Sequence, residues 1–181
     1  MRAKKLILCM LVVAIFSWLS QAESWALDAF MRIVVMGGQE IPGSSTRPGY
    51  ENWHPVAAFG HSLSVPLDPN SGTPSGAKQH NPVKVVKPVD GGSPLIYQAL
   101  GTGQSLESVQ INFLRVDPAT GQDEHFFTIL LQNVHVAGVA PSLIPSNQGN
   151  QIMETVTFSY QIITWKDEIG AVEYSDGWMV P

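Results

Sequence analysis

Gly60-His61-Ser62-Leu63-Ser64 sets a histidine beside a serine and comes nearest in this chain to a nucleophile motif. A nucleophile elbow needs glycine at both ends of G-x-S-x-G, on a strand-to-helix turn. Position 64 is serine, and the segment reads as mid-strand. The pattern therefore does not support acyl transfer. Histidines stand at His54, His61, His80, His125 and His135. Metal ligands usually come as close pairs such as H-x-x-x-H or together with cysteine, and none of these is so spaced. His125 and His135 could share a strand face, but ten residues of strand would separate them by about 33 Å.

Gly101-Thr102-Gly103 follows a helical segment instead of opening one, so it reads as a cap and turn, not a phosphate cradle. No cofactor motif remains. Asp123-Glu124 sits at a hairpin and reads as solvated charge. Trp53, Trp165 and Trp178 could line a sugar-binding face, although packing is the ordinary use of such residues. These motifs bring together no catalytic, metal or cofactor site, so the expectation is a protein that is not an enzyme.

The N-terminus is a targeting signal. Arg2, Lys4 and Lys5 precede the apolar run Leu6–Leu19, and small residues follow at Ser20, Ala22, Ser24 and Ala26. Charge, apolar run and small-x-small site make a secretory signal peptide. The run is shorter than the roughly 20 residues a spanning helix needs, so no stable membrane anchor is expected after cleavage. Two cleavage points fit, after Ala22 or after Ala26. The first leaves 159 residues (181 − 22), enough for an ordinary core. It removes three of ten basic residues and none of fifteen acidic ones, for a formal charge of −8 (seven against fifteen). Such a chain is a poor phosphate binder, so nucleic acid is not an expected partner. The lone cysteine, Cys9, lies within the signal, so the mature chain has neither disulfides nor thiol chemistry. The expected divisions are a signal peptide at 1–26 and one domain at 27–181.

Sixteen glycines, thirteen prolines and frequent apolar alternation favour short strands. Leu27, Ala29, Met31, Ile33 and Val35 share one side of a first strand ending at Gly37-Gly38. The alternation predicts a second strand over Val56–Val65, a third over Val83–Val89 and a fourth around Val109, Ile111 and Phe113. Pro66–Pro82 (PLDPNSGTPSGAKQHNP) has no apolar period and reads as a loop; its length fits either a segment with a use or a merely tolerated flexible loop.

Ser93 as N-cap, Pro94 at the first turn and Gly101 past the end predict one short helix. Asp117–Gly121 reads as a hairpin turn. The fifth strand, Glu124–Ala137, is apolar on both faces, with Phe127, Ile129 and Leu131 opposed to Phe126, Leu130, Val134 and Val136. Pro141–Asn150 reads as a loop and Met153–Trp165 as the last main strand.

This order of elements resembles the hemolysin-coregulated protein (Hcp) family, the tube protein of type VI secretion. Leu27–Ile33 is similar to that family's opening strand, Lys87–Asp90 with Ser93–Leu95 to its strand-to-helix junction, Glu154–Tyr160 with Ile163–Trp165 to its final strand, and Ser175–Trp178 to its tail. The resemblance implies a mainly β fold, a compact β-barrel of two packed antiparallel sheets with one short flanking α-helix. It also implies self-assembly into homo-hexameric rings that stack into an expelled tube, with other type VI components or lumen-borne effectors as further partners. The family's long loop makes assembly contacts. Here it corresponds to Pro66–Pro82, with Pro66, Leu67, Asp68, Asn70, Lys78, His80 and Pro82 as candidate assembly residues. Family members normally lack a signal peptide. A working signal would make this chain secreted or periplasmic by the general route, either as a ring-former outside the tube or as an exported monomeric binding module. Export through the type VI machine would instead make it extracellular.

Overall fold

The computed structural model describes residues 27–146 and 149–178; the predicted signal segment, residues 1–26, lies outside them. The chain folds into β1 (Asp28–Val35), β2 (Glu40–Ile41), β3 (His54–Val56), β4 (Ala58–Gly60), β5 (Leu63–Ser64), β6 (Gln79–His80) and β7 (Val83–Pro88). Helix α1 (Ser93–Thr102) follows, and then β8 (Ser105–Val116), β9 (Asp123–Ser146), β10 (Gly149–Ser159), β11 (Ile162–Asp167) and β12 (Val172–Gly177). Strands dominate and one short helix flanks them, the expected fold class. Ten strands form one antiparallel sheet, and β5 and β6 form a separate ribbon.

The sheet runs β2-β1-β8-β9-β10-β7-β4, and its two sides are bridged by a single run of chain. β3 pairs β1 through Ala29–Met31, and β4 then pairs β7 through Val86–Lys84. The switch falls at Ala57, whose N–H donates to the Val86 carbonyl at 2.8 Å. The predicted second strand, Val56–Val65, is therefore three short pieces. Alternation revealed the inward residues but not the change of partner.

The interior is aliphatic. Met31, Ile33, Val85, Val109, Ile111, Val156 and Phe158 are buried, as alternation predicts. In β9 the apparent second apolar face is partly a change of phase. Asn133 takes a left-handed backbone (φ 50°), and the buried positions shift from Ile129 and Leu131 before it to Val134 and Val136 after it. Asparagine is among the few side chains that tolerate this region. The predicted Pro141–Asn150 loop is instead strand, because β9 and β10 continue as a long hairpin from Val136↔Phe158 to Ser146↔Gly149. Pro141 and Pro145 fit because that part of β9 has one neighbour, and a strand edge does not need every N–H. The predicted last strand breaks at Tyr160-Gln161 into β10 and β11.

Helix α1 begins one residue earlier than the Ser93 cap predicts. Gly92 is its N-cap without a side-chain bond, and left-handed Gly103, not Gly101, ends it. Ser93 has another use. Its hydroxyl accepts from the Asp90 N–H at 3.0 Å and donates to Glu154 Oε1 at 2.6 Å. Lys87 Nζ donates to that same Glu154 oxygen at 2.8 Å and sits 3.0 Å from Asp90 Oδ1. Lys87 and Glu154 are fully buried. His54 completes the group, with Nδ1 3.2 Å from Asp90 Oδ2 and Nε2 3.0 Å from the Ile41 carbonyl. Burial pushes the Asp90 carboxyl up, but the bonds from His54 and Lys87 win and hold it well below the usual carboxylate range. This network ties β3, β7, β10 and the start of α1 together.

Candidate functional site

The predicted assembly loop is a hydrogen-bonded tongue. Asp68 Oδ1 accepts from the backbone N–H groups of Asn70 and Ser71, both at 2.9 Å, an Asx turn that also holds the Asp68 carboxyl below its usual range. Gly72, left-handed at φ 69°, lets its N–H return to the Asp68 carbonyl at 2.8 Å. Asp68 N–H donates to Thr73 O, and Ser75 N–H to Pro66 O, both at 2.9 Å. Leu67 bridges to Pro74. Leu67 on the tongue, and Leu63 and Val65 on the chain leading into it, stay exposed.

At its root the loop is clamped to the barrel. Lys78 Nζ donates to Asp176 Oδ1, which also accepts from the Gly177 N–H at 2.8 Å. His80 is buried, with Nε2 3.5 Å from Asp176 Oδ2 and Nδ1 3.1 Å from the Tyr160 hydroxyl. His61 Nε2 approaches the same hydroxyl at 2.7 Å, and Asn81 O lies 3.4 Å from it. The hydroxyl has one hydrogen to give, so at least one of the two rings donates to it.

The hydrogen bond from Lys78 holds the Asp176 carboxyl below its usual range, although burial opposes it. Burial, with the Asp176 charge, pushes the Tyr160 hydroxyl up to about 12. Burial and the neighbouring His80 push the His61 ring down. Aromatic faces wall the socket. Trp178 lies 6.0 Å from His80 and 6.3 Å from Tyr160, and Trp165, stacked on Tyr174 at 5.9 Å, lies 5.8 Å from His61.

The seven candidate residues divide by position. Lys78 and His80 form the root. Pro66, Leu67, Asp68 and Asn70 shape the tongue. Pro82 lines a shallow groove with His61, Ser62, Asn81 and Lys84. Sequence reasoning missed Tyr160, which ended the final-strand string, and Asp176, which fell in the tail string. Ser62 Oγ accepts from Asn81 Nδ2 at 3.0 Å, while the Nε2 of His61 is engaged with Tyr160; the serine–histidine pair does not meet as nucleophile and base. Among the described residues no group of three His, Cys, Asp or Glu side chains could hold a metal. The tryptophans have different partners, for Trp53 packs edge-on against Tyr50 at 5.2 Å while the other two flank the socket.

Fold and site together define a small barrel whose most elaborate surface feature is a hydrogen-bonded loop clamped at its root. Residues 30–166 match the family described as "Type VI secretion system effector, Hcp". The chain is 34% identical over 147 residues to the "Major exported protein" of Pseudomonas aeruginosa, covering 79% of this chain and 85% of that one. Its fold is similar to Hcp1 of an enteroaggregative E. coli (TM-score 0.75, 31% identity, 84% of this chain and 99% of that one). It is also similar to the secreted protein Hcp3 of Pseudomonas aeruginosa (TM-score 0.69, 26% identity, 86% and 100%). The chain belongs to the Hcp family of type VI secretion proteins.

Proposed function

We propose that this chain is a structural, ring-forming protein, not an enzyme, exported from the cell and built to stack through the Pro66–Pro82 loop. The rooted tongue carries this reading. It is exposed, with apolar Leu67 on it and Leu63 and Val65 on the chain leading into it, yet buried Asp176 and Tyr160 fix its base. A contact element fixed in advance loses less freedom on binding than a floppy one. In a ring each subunit offers two different surfaces, a heterologous contact that closes by rotation. Six copies make the proposed ring, with effectors carried in its lumen. The signal at 1–26, cleaved after Ala22 or Ala26, is the proposed export route, and N-terminal sequencing of the exported protein tests it.

The first experiment is light scattering after gel filtration on residues 27–181, over a range of concentrations. A mass near six subunits is expected. A monomer at every concentration overturns ring formation and leaves an exported binding module as the account.

A further inference from the structure

Two histidines share one hydroxyl beneath the tongue. His61 Nε2 lies 2.7 Å and His80 Nδ1 3.1 Å from the Tyr160 oxygen. His61 follows β4 and His80 ends β6, so they stand on either side of the tongue and anchor both of its ends on Tyr160. His80 Nε2, on a buried ring, has no hydrogen-bond partner; the nearest charge to it is Asp176 Oδ2 on β12, 3.5 Å away.

The protons on this line of groups can be counted. The hydroxyl gives one hydrogen and accepts others. When the two rings hold one proton beyond their neutral forms, His80 donates from Nδ1 to Tyr160, and its Nε2–H makes the approach to Asp176 an ion pair. The hydroxyl then donates on to His61 Nε2. A second proton must go to His61. Its Nε2 becomes a donor, the hydroxyl faces two N–H groups, and its own hydrogen has only Asn81 O, 3.4 Å away. The second charge also lacks a counterion. Among the described residues Asp176 is the one carboxylate bonded to any of these groups, and it already faces Lys78 and His80. On β7, Lys84 lines the groove with His61 and adds another positive charge. Burial and the His80 neighbour push the His61 ring down, in keeping with this order.

We propose that the socket is an acid-operated latch, which holds the tongue closed with one proton shared between His61 and His80 and opens when a second arrives. The sign follows from where the second proton binds best. With the tongue open, His61 is solvated and takes a proton near the usual histidine value of about 6.5. The closed socket resists that proton. Closure is therefore fully supported above about pH 6.5 and weakens as the pH falls below it. Asp176, held below its usual range by Lys78, stays charged through this window, so its own titration is not the cause. The latch is built from one subunit's groups and stands whether or not the subunit forms rings.

The test is amide hydrogen exchange on residues 27–181, which contain the whole described barrel, at pH 7.5 and pH 5, with rates corrected for the intrinsic effect of pH. Light scattering selects a concentration at which the mass is the same at both. Residues 66–79 are expected to lose protection at pH 5 by at least about tenfold, the effect of one histidine shifted by about one pH unit, while β8 and β9 keep theirs. His61→Gln retains a side-chain N–H for Tyr160 but takes no proton, so its tongue should stay protected at pH 5. A wild-type tongue equally protected at both pH values overturns the latch. So does a His61→Gln tongue that opens as the wild type does, or a loss of protection that spreads to β8 and β9, which is general acid unfolding. If circular dichroism shows that His61→Gln does not fold, the imidazole proton resonances of the wild type decide. Separate titration steps for His61 and His80 support the latch, and coincident steps near pH 6.5 overturn it.

Discussion

Replacing Lys87 with Met should be the most damaging single change in the barrel, and its cost follows from the geometry. The ammonium is fully buried and donates to Glu154 Oε1 at 2.8 Å and to the Pro88 carbonyl at 2.8 Å, and lies 3.0 Å from Asp90 Oδ1. Methionine fills nearly the same volume, so packing changes little. What changes is charge. Glu154 keeps only the Ser93 hydroxyl on Oε1, and its Oε2 already has no hydrogen-bond partner. Removing one partner of a buried pair costs about 3–5 kcal/mol. At about 2–4 °C per kcal/mol for a domain of this size, the midpoint should fall by roughly 6–20 °C. Urea and thermal unfolding followed by circular dichroism measure both quantities. Adding Glu154→Leu should recover most of the loss, because replacing both charges by apolar groups is often neutral, and Asp90 still has His54. A Lys87→Met variant within about 1 kcal/mol of wild type, well below that range, would refute the buried-charge argument. So would a double variant less stable than the single one.

Three further outcomes follow from the clamp and the close packing. Tyr160 is pushed up to about 12 in the fold against about 10 in an unfolded chain. Its stabilisation is thus complete below about pH 10 and lost as the pH rises to about 12. Ultraviolet titration should show a late tyrosinate step that Tyr160→Phe removes, and a step that survives the substitution contradicts the assignment. Asp176→Asn should free Lys78 and speed amide exchange over residues 66–79 while the β8–β9 core stays protected; unchanged exchange in the loop would show that the root does not order it. Gly92→Ala should destabilise, because a Cβ there would lie 2.1 Å from Pro42 O and 2.9 Å from His54 Cε1. Overpacking of this kind costs about 1–3 kcal/mol by equilibrium unfolding, and a neutral result would mean that the α1 entry can shift.

Local order was legible wherever one face of an element was buried. Val109 and Ile111, and Val156 with Phe158, announced their strands, and the Ser93-Pro94 pair announced the helix. What stayed hidden depends on partners distant in sequence. Asn133 looks like any strand residue until its backbone turns left-handed and moves the inward positions by one. Pro141 and Pro145 argued for a loop because the single-neighbour edge that tolerates them cannot be seen in the residues. The loop itself was legible from length and composition, but its socket was not. His80 meets Tyr160 across 80 residues and Lys78 meets Asp176 across 98, and neither separation leaves a periodic trace.

The two buried polar networks place one kind of chemistry at two points where the chain leaves the sheet. Lys87, Asp90, Ser93, Glu154 and His54 fasten the start of α1, and Lys78, His80, Tyr160 and Asp176 fasten the tongue. Aliphatic packing alone would hold either segment with comparable energy but little direction, since apolar contact is non-directional. Hydrogen-bonded charge fixes position, because a misplaced segment would leave buried polar groups unsatisfied at about 1–3 kcal/mol each. In the assembly proposed above, a tongue held in this way would meet its partner already ordered. It avoids the roughly 0.5–1.5 kcal/mol that each side chain immobilised at an interface otherwise costs.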